Sequence, residues 1–292
     1  MKDDLFSLNP STDVNRRLFL TGAGAAVGYA VAAGPVRADP IATNMFGITA
    51  GDVEIKAADG VTIPAYMSMP VVRPGPHPII IVVQEIFGIH EYIRDVCRRL
   101  SKQGYMAVAP SLYVRQGDPT KIEDIPTIIS SIVSKVPDAQ VLSDIDATAD
   151  WAFAHGGDVN RFGITGFCWG GRIVWLYAAH STRLKAGVAW YGRLVGDTND
   201  LNPKNPIDIA TEIKAPILGL YAGGDQGISV ESVDQMKAAL RGSKVPWEIK
   251  VYPDVPHGFH ADYRPSYRED AATDGWKKAL EWLRKYHVSF IP

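Results

Sequence analysis

Residues 166–171 read GFCWGG, placing one of only two cysteines in the chain between glycines, just after the short apolar run RFGIT. A thiol in that setting is presented rather than packed. The G-x-C-x-G spacing has the form of a nucleophile elbow, where the reactive residue occupies a sharp turn from a strand into a helix. Side chains two positions before and after would collide across such a turn, which calls for glycine at Gly166 and Gly170. Cys168 is therefore a candidate nucleophile. Cys97, in IRDVCRRL, falls mid-helix on an apolar stripe and reads as a packed, inert thiol.

A cysteine nucleophile needs a base, and the base needs an orienting group. In a strand–helix architecture the chain order is nucleophile, acid, histidine. Four histidines follow Cys168: His180, His257, His260 and His287. His180 and His287 end helical patterns and belong on the surface. His257 lies in YPDVPHGF, directly after the apolar segment WEIKVYP, and is favoured over His260 as the base. Asp225 ends LYAGGD, where two glycines release the chain from a strand, and is favoured as the acid over Asp234 and Asp254. Backbone N–H groups must hold the developing oxyanion. Trp169, next after the nucleophile, and Ile86, in the QEIFG loop, are the candidates. Glu85 then stands as a charged residue at the buried end of IIIVVQ, beside the site.

The elements that would position these residues alternate along the chain. VEIKAADGVTIPAYMSMP (53–70) reads as a hairpin turning at Asp59-Gly60. IIIVVQ (79–84), YMAVAP (105–110), RFGITGF (161–167), AGVAWY (186–191), APILGLY (215–221) and WEIKVYP (247–253) read as strands. Helical patterns occupy about 90–103, 138–154, 170–180, 230–241 and 266–286, whereas 113–137 and 192–210 read as loops that shape a pocket. The fold class is α/β: a mostly parallel sheet, helices on both faces, and an antiparallel N-terminal hairpin at the edge. In such sheets a site lies at the carboxyl ends of the strands. Cys168, Asp225 and His257 each follow a strand.

With 292 residues, 46% hydrophobic and 21% charged, the chain has an ordinary globular composition. A formal net charge of −2 and no basic block give no electrostatic case for nucleic acid. Two cysteines build neither a disulfide framework nor a zinc site, and no metal or organic cofactor is implied. The N-terminus is a separate object. Arg16-Arg17-Leu-Phe-Leu precedes a weakly apolar run to Ala33, followed by Val36-Arg37-Ala38. This is the pattern of a twin-arginine export signal with a small-residue cleavage site. The expectation is a signal peptide over 1–38, a single domain over 39–292, and a periplasmic or secreted protein. Its only export partner would be the twin-arginine machinery, met transiently, with no stable membrane partner after cleavage.

QEIFG (84–88), GYMAVAPSLY (104–113), GFCWGG, AGGD and HGF together resemble the dienelactone hydrolase family, the carboxymethylenebutenolidase-like enzymes of the α/β-hydrolase superfamily. The resemblance implies Cys168 as nucleophile with His257 and Asp225, an oxyanion hole from the N–H groups of Ile86 and Trp169, and a role for Glu85 in holding the resting thiol. It also implies arginines that clamp a substrate carboxylate. Here the sequence departs from the family. The matching position, a few residues past His257, is Ala261, and KIEDIPTIISSIVSK (121–135) contains no arginine. Tyr113, Arg115, Arg193 and Arg264 are the candidate substrate-binding residues instead. The expected activity is hydrolysis of a small ester or lactone through an acyl-cysteine. The alternatives are a thioesterase or short-acyl carboxylesterase, and a non-catalytic periplasmic binding protein built on a hydrolase-like fold.

Overall fold

The computed structural model describes residues 41–72 and 74–290; the signal-type segment 1–38 lies outside them. β1 (Ile48–Lys56) and β2 (Thr62–Pro70) form the expected hairpin, with Gly60 at φ 85° in the turn. They are followed by β3 (His77–Val83), α1 (Glu91–Lys102), β4 (Met106–Pro110), α2 (Ile125–Ser131) and α3 (Asp138–Ala154). Next come β5 (Gly157–Phe167), α4 (Trp169–His180), β6 (Ala186–Trp190) and β7 (Ile217–Ala222). The described chain closes with α5 (Val230–Leu240), β8 (Trp247–Tyr252) and α6 (Glu269–Lys285).

The eight strands form one sheet in the order β1-β2-β4-β3-β5-β6-β7-β8. The hairpin sits at one edge, antiparallel within itself and to β4, while β4, β3, β5, β6, β7 and β8 run parallel to one another. Every residue of β3, HPIIIVV, is buried, which is why its sequence is a β-branched run rather than an alternation. Helices cover both faces. A methyl group at Gly163 would meet Leu283 of α6, and one at Gly187 would meet Val174 of α4. Gly163 pairs with Ala186, so Gly187 is the next residue along and faces the other side. Small residues at these points let the two helices close onto the sheet.

α1 buries Ile93, Val96, Cys97 and Leu100 in the core. Burial pushes the Cys97 thiol well up, in keeping with a packed residue. One helix departs from the sequence reading. α2 lies within the segment read as a loop; it is seven residues long, started by Asp124, whose carboxylate accepts the N–H of Thr127, and by Pro126 in its first turn. Its β-branched residues lower helix propensity, and seven residues are too few to display a helical period. α6 begins at Glu269 rather than near 266.

Candidate active site

Five of the parallel strands end level with one another. Val83 pairs with Gly166, Phe167 with Trp190, Trp190 with Leu220, and Ala222 with Tyr252. The residues just beyond these ends are Glu85, Cys168, Tyr191, Asp225 and His257. This register brings them together on one rim of the sheet.

Cys168 caps α4 with φ 57° and ψ −116°, a left-handed conformation for a residue other than glycine. The backbone is clamped there: its N–H donates to Trp190 O at 3.0 Å, and its C=O accepts the N–H of Gly171 at 3.0 Å. The glycines around it answer to backbone contacts. A Cβ at Gly166 would stand 2.4 Å from Gly170 O, and one at Gly170 would stand 2.5 Å from Val83 O and Gln84 O. Strain of this kind persists only where the surroundings over-determine it. It turns Cys168 out of the sheet at the head of α4.

His257 Nδ1–H donates to Asp225 Oδ2 at 2.6 Å, with both side chains buried. The other carboxylate oxygen, Oδ1, accepts the N–H groups of Gly227 at 2.8 Å and Ile228 at 3.1 Å. The acid is therefore held by its own loop and holds the imidazole in turn. Burial alone would lower the pKa of His257, but the charges of Cys168 and Asp225 outweigh it and hold the group up to about 10. Cys168 is close enough for this effect, although Nε2 has no partner aligned for a hydrogen bond. Loose nucleophile–base alignment is common before substrate binds. His260 is excluded as the base: it is buried, pushed down to about 3 mainly by that burial, and its Nδ1 accepts Tyr92 O–H at 2.6 Å. Asp234 pairs with Lys237 on the exposed side of α5.

Ile86 and Trp169 occupy the expected loop and helix start, and both are buried. The N–H of Ile86 donates to no acceptor among the described residues, and that of Trp169, at the first position of α4, has no intrahelical partner. Tyr113 packs edge-on against Trp169, with ring centroids 4.8 Å apart.

Glu85 is fully buried yet held down to about 2. Burial opposes ionisation, but the Arg264 guanidinium and His90 overcome it. Arg264 Nη2 stands 3.4 Å from Oε1, while Tyr263 O–H donates to Oε2 at 2.5 Å and His90 Nε2 does so at 3.2 Å. The hydrogen bonds of Glu85 thus run to Tyr263 and His90, with none to Cys168 among the described residues. Arg264 is buried, stacked over Phe87 at 4.8 Å and Tyr263 at 5.1 Å, and it feels the charge of Glu85 and, less strongly, of Cys168. His90, Tyr191 and Tyr263 are the site residues that sequence reasoning missed. Tyr191 carried a usable signal, since it directly follows a strand end as Asp225 and His257 do.

The arginine expectations divide. Arg115 is a structural cation rather than a substrate ligand: Asp59 in the β1–β2 turn and Asp144 on α3 take both edges of its guanidinium at 2.7–3.0 Å. Arg193, half-buried, lies against Gly196 in its own loop after β6. Arg264 is the candidate arginine that interacts electrostatically with Cys168. Among the described residues no group of three or more His, Cys, Asp or Glu could hold a metal ion, and no helix is long and apolar enough to cross a membrane.

Comparisons with known proteins bear on the family and the fold. The chain is 56% identical to a candidate carboxymethylenebutenolidase of Methylorubrum extorquens over 98% of both chains. It is 55% identical to one of Escherichia coli K12 over 89% of this chain and 95% of the other. The crystal structure of a candidate dienelactone hydrolase from Klebsiella pneumoniae superposes with a TM-score of 0.80 at 56% identity, covering 82% of this chain and 99% of that one. The sheet, its edge hairpin and its flanking helices are those of the α/β-hydrolase fold. Residues 63–287 match the model of the dienelactone hydrolase family, and the chain belongs to that family of hydrolases.

Proposed function

We propose that the chain is a carboxylic-ester hydrolase that cleaves small esters or lactones through an acyl-cysteine. The observation that carries this reading is the buried Asp225–His257 pair at 2.6 Å set against Cys168 on its strained turn. His257, held in its charged form by its neighbours, stabilises a thiolate on Cys168. The thiolate sulfur bonds to the substrate's acyl carbon, and the carbonyl oxygen takes up the electron pair between the N–H groups of Ile86 and Trp169. As the C–O bond breaks, Nε2 of His257 gives its proton to the leaving oxygen. Neutral His257 then takes a proton from water, whose oxygen attacks the thioester and releases the acid. Asp225 fixes the imidazole's tautomer throughout.

The substrate class follows from Arg264. Its charge is already matched by Glu85 at 3.4 Å, so the site favours an uncharged ester or lactone over one bearing a carboxylate. The test is hydrolysis of p-nitrophenyl acetate and of a dienelactone by wild type and Cys168→Ala, with mass spectrometry of the quenched enzyme. Turnover lost in the variant, and an acyl adduct on the peptide containing Cys168, are the expected results. Full turnover by Cys168→Ala would falsify the mechanism. Acetate cleaved while a carboxylated dienelactone is ignored supports the neutral class. Inertness toward every ester and thioester tested points instead to a binding protein.

Export through the twin-arginine route, with release after Ala38, completes the proposal, motivated by Arg16-Arg17 and the apolar run that follows. Replacing both arginines with lysine should leave the protein in the cytoplasmic fraction of an expressing cell. Unchanged periplasmic recovery would rule this out.

A further inference from the structure

Tyr191 stands out among the buried groups that the triad mechanism leaves unused. It is the first residue past β6, with φ 37°, an uncommon conformation for a bulky side chain. Its backbone is locked by an N–H donated to Leu220 O at 2.8 Å. The next residue, Gly192, touches the backbone of Gly171 so closely that a Cβ there would fall 2.2 Å from Gly171 C. The turn after β6 and the turn at Cys168 are thus pressed together. The ring of Tyr191 packs edge-on against His257, with centroids 5.0 Å apart, and against Phe259 at 5.3 Å. Its hydroxyl is completely buried and has no hydrogen-bond partner among the described residues. The Cys168 N–H donates to the carbonyl of Trp190, the residue just before Tyr191, at 3.0 Å, which sets the phenol's turn beside the nucleophile, and the phenol feels the charges of Glu85, Arg264 and Cys168. Buried hydroxyls in folded proteins are nearly always paired, and an orphan beside a nucleophile calls for a functional account.

We infer that Tyr191 is a further catalytic residue, whose phenolic O–H donates a hydrogen bond to the leaving-group oxygen of the substrate as its bond to the acyl carbon breaks. The leaving oxygen is assigned by geometry. The carbonyl oxygen has its own donors in Ile86 and Trp169, whereas Tyr191 lies on the imidazole side, against the ring that protonates the leaving oxygen. Tyr191 keeps its proton: His257 supplies the one that departs with the alcohol, and the phenol only stabilises the charge that builds before that transfer. Burial raises the phenol's pKa well above its ordinary value, which keeps it protonated.

This inference rests on the proposed acyl-cysteine chemistry, and the test separates the two. Tyr191→Phe keeps the ring and removes the hydroxyl. It is compared with wild type on an oxygen ester and on the thioester of the same acyl group, whose leaving sulfur is a poor acceptor. The expected result is a loss in kcat/KM of about 10- to 100-fold on the oxygen ester, the worth of one hydrogen bond to a developing charge. On the thioester the change should stay within about threefold, which is outside the range of such a bond. Alkylation of Cys168 by iodoacetamide should proceed at the wild-type rate, showing that the nucleophile is undisturbed. Equal losses on both substrates, or no loss on the oxygen ester, would overturn the assignment. Failure of Cys168→Ala to lose activity would instead overturn the underlying mechanism.

Discussion

At the scale of single residues, the pairing of Glu85 with Arg264 departs most from what the sequence suggests. Motif spacing placed a carboxylate beside the thiol, yet its hydrogen bonds go to Tyr263 and His90, and its ion pair to an arginine 179 positions along the chain, counting from Glu85 to Arg264. No local pattern announces such a partnership, because it depends on where the loop after His257 folds back. Cys168, Asp225 and His257 were legible because each answers a local rule: glycines at a tight turn, or a polar residue released from a strand end. Arg115 shows the opposite error. Its charge near the pocket loops invited a ligand role, but Asp59 and Asp144 were waiting on separate elements. A buried ion pair that loses one member leaves an uncompensated charge, at a cost of about 3–5 kcal/mol. Arg264→Met should therefore unfold at markedly lower urea than wild type. The double variant with Glu85→Gln should recover much of that loss, since both charges are gone. Equal midpoints for wild type and Arg264→Met would show that Glu85 needs no counter-charge.

At the scale of elements, the site is a product of strand register and two crossed turns. The parallel strands were readable because burial on both faces makes their sequences continuously apolar, as in IIIVV of β3. α2 was not, because its seven residues are too few to display a helical period. The glycines of the elbow were anticipated for steric reasons, and the structure supplies the atoms they avoid. Gly170→Ala tests this link. Its Cβ would sit 2.5 Å from the carbonyl oxygens of Val83 and Gln84, which belong to backbone and cannot swing aside. Relief requires α4 to move away from the end of β3, taking Trp169 N–H from Ile86 N–H. A displacement of about 1 Å can cost roughly 100-fold in rate, so activity should fall by about that factor. Gly51→Ala, on the edge strand with open space around it, should leave activity unchanged. If both variants are fully active, the close approach at the elbow has no bearing on the oxyanion donors.

At the scale of the whole molecule, the buried titratable groups at the rim of the sheet set how stability responds to pH. His257 is raised from its ordinary 6.5 to about 10, so the folded state binds its proton more tightly than the unfolded chain does. Its contribution is complete below about pH 6.5 and is lost as pH rises through 10. His260 has the opposite sign. Held down to about 3, it stabilises the fold only above about pH 6.5, and that contribution drains away as pH falls toward 3. Glu85, held down to about 2 from its usual 4.5, adds a second acid limb: its contribution is present above about pH 4.5 and is lost as pH falls through 2. The three groups together place maximum stability near pH 6.5, with an acid limb drawn from His260 and Glu85 and an alkaline limb drawn from His257. Thermal unfolding between about pH 2 and pH 11, followed by circular dichroism, checks the shape. His257→Gln should flatten the alkaline limb while leaving the acid limb in place, because His260 and Glu85 keep their surroundings. An alkaline limb unchanged by that substitution would mean that His257 does not carry its charge in the folded state, and the thiolate–imidazolium pair would lose its support.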